Sequence, residues 1–513
     1  MRTWTPKFTR KWASALTAVA LATPLAALSV APGVTAVPAA QAATVYPPGG
    51  PDQTPVMGIS GWSFLRLGAD AAQVEGQASA LVSTGLAAAG YRYVNIDDGW
   101  YQCPGPQGPN VDAYGRWVVN TTNYPDVGSE NGVQALAAYV HKLGLKFGIY
   151  MTPGISSQAV AQNTPILGTS YTADQIATTK HDANYNCGGM LGINYKAPGA
   201  QAYTDSVVDE LASWGVDYIK LDGIANRNRA DIKAWQAAIQ QSGRPMVLNI
   251  TQGSYTVKIA PLLKKYANQW EFTPDIEING PDEGSANACN APPYTGCLSV
   301  FPLTSYAHWS DRFAAVAQWQ PYGGPGGFND YDSIEVGDGS ADSGMSLAAS
   351  ESQLSLWSLG AAPLIVGGDL STSVTNAYGT SASLTPRDYR LLTNRQVIGV
   401  DQDAIDASRI AVTGSPGQGA GDQVFAKVEK HGDAIVGLFN TTTTTSSAPV
   451  AISTTASAVS LPADPDGYLV QDLWNGQSVV VGGQTSFDIS SAGTISATVP
   501  AEGVALYRVT PLP

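Results

Sequence analysis

The chain has 513 residues, 41 of them acidic and 27 basic, for a formal net charge of -14. Nucleic acid and anionic membranes would repel that charge, which argues against both as partners and favours a neutral, polar substrate. The four histidines, at 141, 181, 308 and 431, are scattered and the four cysteines form no Cys-x-x-Cys pair, so no metal centre, no histidine-based triad and no cofactor is expected.

Arg2, Lys7, Arg10 and Lys11 form a basic start, Ala15 to Val30 is mostly apolar, and Ala40-Gln41-Ala42 has the small-residue pattern of a cleavage site. Residues 1–42 therefore read as a signal peptide, with a secreted, extracellular mature chain. A membrane anchor is the rival reading, but Pro24, Pro32 and Pro38 interrupt the segment.

From Val56 to about Val400 short apolar runs alternate with helical periodicity. The pattern predicts strands at Val56–Ile59, Tyr93–Ile96, Lys146–Tyr150, Tyr218–Leu221, Met246–Ile250, Gln269–Phe272, Gly327–Asn329 and Leu364–Val366. Helices are predicted between them at Ala71–Ala89, Gly132–Leu143, Ala200–Trp214, Arg229–Gln241 and Glu351–Leu359. Strands apolar on both faces with intervening helices imply parallel pairing, and eight such units imply an α/β fold, a (β/α)8 TIM barrel, over residues 43–408. An open doubly wound sheet is disfavoured because no Gly-x-Gly-x-x-Gly follows the first strand.

The longest insertion, Pro153 to about Lys196, carries Cys187 and no strong period, and reads as an ordered lid or rim. After about Arg409 the chain turns to Thr, Ser, Val and Gly in period-two alternation, with turns at Pro465-Asp466-Gly467 and Asn475-Gly476. Residues 409–513 are thus expected to form an antiparallel β-sandwich domain packed on the barrel, and Thr441 to Ser447 a loop or edge. In an exported protein the cysteines suggest two bridges, Cys103 with Cys187 and Cys289 with Cys297, one of three possible pairings.

Acids recur at the predicted strand ends: Asp97 and Asp98, Asp222, Asp275, and Asp330 with Asp332. One alone would read as a helix cap, but like charges converging on one barrel face repel unless something uses them. Glycosidic cleavage needs one carboxyl ionised and another protonated. Asp222, at the end of Tyr218-Ile219-Lys220-Leu221-Asp222-Gly223, suits attack, with Lys220 expected to push its pKa down. Asp275, with apolar and acidic neighbours expected to raise its pKa, suits proton donation, and Glu271 is a rival for that role.

At these residues the chain resembles glycoside hydrolase family 27, the α-galactosidase and α-N-acetylgalactosaminidase family. The likeness lies in Met57-Gly58 with Trp62, Tyr93-Val94-Asn95-Ile96-Asp97-Asp98-Gly99-Trp100, Gly144-Leu145-Lys146-Phe147-Gly148-Ile149-Tyr150, Trp214 to Asp222, Gly326 to Asp332, and Ala362 to Leu370. The resemblance implies a retaining mechanism with Asp222 as nucleophile and Asp275 as acid and then base. It also implies that Asp97 and Asp98 hold the sugar's O4 and O6, Lys220 its ring hydroxyls and Trp62 its apolar face, while Tyr150 and Asp332 complete the wall. Departures bear on the sugar: Glu271 stands where the family usually has an arginine that contacts the 2-position, and Ile224 replaces a cysteine. The expected activity is release of terminal α-D-galactose. The alternatives are an isomalto-linked α-glucan, an α-N-acetylgalactosaminide, a β-L-arabinopyranoside, or a barrel that binds carbohydrate without cleaving it, which would tolerate loss of Asp222 or Asp275.

Overall fold

The computed structural model describes residues 52–251, 256–276, 305–337, 345–371, 384–410, 422–443, 448–462, 467–481 and 493–512. The leader, Cys289, Cys297 and residues 444–447 lie outside them. Among the described residues no helix is long and apolar enough to cross a membrane.

Eight parallel strands form one curled sheet: β1 (Met57–Ser60), β2 (Tyr93–Ile96), β3 (Lys146–Met151), β4 (Tyr218–Leu221), β5 (Val247–Ile250), β6 (Gln269–Glu271), β7 (Phe328–Asp330) and β8 (Leu364–Val366). Pairing runs from β7 back through β6, β5, β4, β3, β2 and β1 to β8, and a parallel bridge between Ile334 and Val366 brings the two ends together. All eight expected strands are present, each within a residue or so of its predicted bounds. The expected helices form as well, except that Ala71–Ala89 is two pieces, Ala71–Ser83 and Leu86–Ala89, because Gly85 between them is left-handed at φ 85°.

Residues paired across parallel strands share a face, so the register sorts the barrel interior into layers. Val56, Tyr93, Tyr218, Val247 and Ile365 pack together as an apolar plug. Two residues further along β2, β4 and β5 stand Asn95, Lys220 and Asn249, and beyond these, after β2 and β4, come Asp97 and Asp222. The interior thus grows more polar toward the C-terminal end of the strands, where a TIM barrel carries its chemistry. Gly148 is small of necessity: a Cβ there would sit 2.0 Å from the Asn95 Oδ1.

The insertion after β3 is a three-stranded antiparallel sheet of Ile155–Ser156, Ala177–Asp182 and Met190–Ile193, with a disulfide from Cys103 to Cys187 fastening it to the loop after β2. This is more regular than the sequence suggested. Thr178, Lys180 and His181 leave little apolar alternation to read.

At the C-terminal end, six strands (Ser408–Ile410, Asp422–Val428, Ala434–Asn440, Val504–Pro511, Tyr468–Asp472 and Ser478–Val481, in spatial order) form an antiparallel sheet. Val424, Val436 and Val470 face Ile452, Ile495 and Val499 of a second, two-stranded sheet. The opposite face, with Phe425, Ile435, Phe439 and Leu506, joins the barrel core. Phe313 meets Phe439 at 5.1 Å between ring centroids. Lys427 crosses the same junction, donating to Val400 O, Asp403 Oδ1 and Ile405 O at 2.5, 2.8 and 2.8 Å. The expected packing of this domain on the barrel is what the structure shows. Helix Leu347–Leu359 is buried nearly all round because it lies between them.

Several acids are buried by this architecture. Burial pushes the carboxyl of Asp52 up to about 8, and those of Asp231 and Glu351 to about 7. Between about pH 4 and those values the folded chain holds more protons than the unfolded one, so stability is present at low pH and lost as pH rises through the folded values. Each such proton is worth roughly 1.4 kcal/mol per pH unit. The melting temperature in scanning calorimetry should therefore be higher at pH 5 than at pH 8. A rise over that interval would contradict the burial of these groups.

Candidate active site

Lys220 is the hub of the polar end of the barrel. Its side chain projects inward from β4 and its Nζ donates to Asp97 Oδ2 at 2.7 Å. Its ammonium pKa is held well above the ordinary value: burial opposes the charge, but Asp97, Asp222 and Asp275 outweigh it. Three acids from the ends of β2, β4 and β6 therefore converge on one cation.

Asp222 follows β4, and its backbone N–H donates to Met151 O at 2.8 Å, which continues the ladder one residue past the strand. Gly223 N–H donates to Asp222 Oδ1 at 2.5 Å. That turn requires glycine, since φ is 70° and a Cβ would lie 2.6 Å from the Cβ of Ala183 in the insertion. The expectation of a lowered Asp222 pKa is corrected here, although Lys220 does act in that direction. Burial is the largest influence and Asp97 adds to it, so the carboxyl is pushed up to about 6 although Lys220 opposes the shift. Lys220 makes its hydrogen bond to Asp97, not to Asp222.

Asp97 and Asp98 are both buried and cap no helix. Asp97 Oδ1 accepts from Asp98 N–H and Asp98 Oδ1 from Gly99 N–H, each at 2.8 Å. Asp98 Oδ1 also accepts from the Tyr101 hydroxyl at 2.6 Å, yet burial raises its pKa to about 7. Tyr150 is 1 % exposed, its ring 5.9 Å from the Lys220 ammonium and its phenol under the influence of Asp98 and Asp222. Trp62 stands at the start of the first loop with the Arg66 guanidinium 3.8 Å over one face of its ring.

On the other side Glu271 ends β6, paired in register with Asp330, and is 3 % exposed. Its carboxyl oxygen and those of Asp275 and Asp332 lie within 4.8 Å of one another. Burial, then Asp275, Asp332 and Asp330, hold the Glu271 pKa well above the usual range. The expectation of no metal site rests on histidine and cysteine spacing, which cannot reveal such an all-carboxylate trio. Asp332 adopts a left-handed φ of 71°, and its Oδ2 accepts from Ile276 N–H at 2.9 Å, next to Asp275. Asp330 accepts from Asn249 Nδ2 at 2.5 Å.

All of the sequence-derived candidates among the described residues thus gather at one end of the barrel, apart from Cys103 and Cys187 on its rim. Residues that sequence reasoning passed over are Tyr101, which binds Asp98, Asn249, which binds Asp330, and Arg312 beneath Asp332. Tyr101 follows the Asp97-Asp98-Gly99-Trp100 motif directly and could have been read from it, whereas nothing local distinguishes the other two.

Comparison with known proteins accounts for this arrangement. A family model described as alpha galactosidase A matches residues 72–186 and 303–403, and one described as the alpha galactosidase C-terminal beta sandwich domain matches 419–509. The probable alpha-galactosidase of Dictyostelium discoideum is 30% identical over 394 residues, 76% of this chain and 78% of that one. The chain belongs to glycoside hydrolase family 27. An alpha-galactosidase of Oryza sativa subsp. japonica is 30% identical over 356 residues. The match spans just under two thirds of the length of the rice relative and of one from Cyamopsis tetragonoloba, 64% and 65%. Among family 27 structures, a β-L-arabinopyranosidase from Geobacillus stearothermophilus superposes with a TM-score of 0.72 at 25% identity, covering 90% of this chain and 97% of that one.

Proposed function

We propose that this chain is an exported, retaining exo-glycosidase that releases terminal α-D-galactosyl residues from oligosaccharides or polysaccharides. The observation that carries the reading is the convergence of Asp97, Asp222 and Asp275 on Lys220. Galactose as the sugar is supported by the named activity of the rice and Dictyostelium relatives. The basic and apolar leader with its Ala40-Gln41-Ala42 motif supports export.

In the first step the glycosidic C1–O bond breaks, an Asp222 carboxylate oxygen bonds to C1, and the Asp275 proton passes to the leaving oxygen. In the second, water attacks C1, its proton goes to Asp275, and the Asp222 ester bond is released. With a pKa near 6, Asp222 is mostly ionised at pH 7, as attack requires. Asp97 and Asp98 would receive O4 and O6, Lys220 a ring hydroxyl, Trp62 the apolar face, Tyr150 and Asp332 the sides, and Glu271 would meet the 2-position.

A second reading is favoured by one observation, the likeness to the Geobacillus arabinopyranosidase. β-L-Arabinopyranose is galactose without C6, so Asp98 discriminates between the two. Aryl α-D-galactoside and aryl β-L-arabinopyranoside should be compared by kcat/KM. The galactoside should lead by about 10- to 100-fold, since the pentose leaves a buried carboxyl without its hydroxyl partner. A lead for the pentoside would select the second reading.

A further inference from the structure

Asp275 lies four residues beyond the last residue of β6, Glu271. Both of its neighbours in the chain are tied to other segments, Pro274 to the helix that precedes β7 and Ile276 to the turn that follows it. On one side Pro274 O accepts from Arg312 Nη2 at 2.8 Å, and on the other Ile276 N–H donates to Asp332 Oδ2 at 2.9 Å. The same guanidinium donates through Nε to Tyr331 O at 3.3 Å and through Nη1 to Asp311 Oδ1 at 2.8 Å, and its Nη2 lies 3.8 Å from Asp332 Oδ2. Arg312 heads the helix Arg312–Trp319 and its side chain is wholly buried, at 0% exposure.

Burying an arginine is costly unless its donors are used, and here they are spent on two main-chain carbonyls and the Asp311 carboxylate, with the Asp332 carboxylate close by. A guanidinium suits this task because its planar fork donates in several fixed directions at once, whereas a lysine is a point charge. It also places fixed positive charge behind the Glu271, Asp275 and Asp332 trio.

We propose that Arg312 is a positioning residue for the acid/base step: by joining Pro274 O to Tyr331 O beside Asp332, it sets where the Asp275 carboxyl meets the leaving-group oxygen. This rests on the reading of Asp275 as acid/base given above. Arg312 touches no substrate and acts through the 274–276 and 331–332 segments. A displacement of about 1 Å at a reacting group costs on the order of 100-fold.

Arg312→Ala would strand two buried carbonyls and a carboxylate and is expected not to fold, so Arg312→Lys, which keeps the charge and most of the length, carries the test. The lysine variant and Asp275→Asn are assayed together on methyl α-galactoside, whose leaving group needs a proton, and on 2,4-dinitrophenyl α-galactoside, whose leaving group does not. Arg312→Lys should lose about 100-fold in kcat/KM on the methyl glycoside and about 3-fold or less on the dinitrophenyl one, with galactose affinity by calorimetry within about 3-fold of the parent. Equal losses on both substrates would show a merely structural role, and no loss on either would show none at all. Either result, with the substrate split intact in Asp275→Asn, overturns the inference alone. If Asp275→Asn also shows no split, the acid/base assignment fails and the inference falls with it.

Discussion

Asp222→Asn should lower kcat on an aryl α-galactoside by about 10⁴-fold while the chain still folds and binds galactose. The amide matches the carboxylate in shape but cannot form the ester with C1, and it can still accept from Gly223 N–H. It also removes a buried acid whose pKa stands near 6, so the variant should melt no lower than the parent at pH 7. In the parent the same group should set the acid limb of kcat/KM, with activity lost as pH falls through about 6 because the protonated carboxyl cannot attack. Steady-state kinetics with a calorimetric check of folding decide the matter. Turnover within about 10-fold of the parent would remove Asp222 from the role of nucleophile.

The second large effect concerns Asp275. Replacing a general acid costs about 10²- to 10⁴-fold when the leaving group must be protonated and little when it leaves readily as an anion. In kcat/KM, which reports the first step alone, Asp275→Asn should therefore lose on the order of 10³-fold on a galactosyl disaccharide and less than about 10-fold on a dinitrophenyl galactoside. Glu271 is the competitor, since it is buried, its pKa is pushed up by that burial, and it lies within 4.8 Å of the Asp275 carboxyl. If Glu271→Gln gives the substrate split and Asp275→Asn does not, the proton comes from Glu271.

The barrel strands were legible because burial on both faces leaves short, nearly continuous apolar runs, and Lys220 stood out as a charge inside such a run. The converging acids were legible for a related reason: each lies within a few residues of a strand whose end could be placed. What could not be read was which groups meet. Lys220 pairs with Asp97, 123 residues away, through the registers β2–β3 and β3–β4, which no local pattern encodes. The sign of the Asp222 shift depended on the depth of burial, and a sequence shows the neighbouring charge but not the desolvation. Arg312 follows Asp311 in a sequence that reads like any exposed helix start, and its complete burial is a tertiary fact. The insertion sheet escaped notice because its strands are short and polar.

Covalent trapping tests the central claim most directly. A galactosyl fluoride carrying a second fluorine at C5 forms the glycosyl-enzyme faster than water can release it, so intact-protein mass spectrometry after mixing should show one added galactosyl group, and peptide sequencing should place it on Asp222. A label on another carboxylate, or inactivation-free turnover with inverted product, would contradict the account.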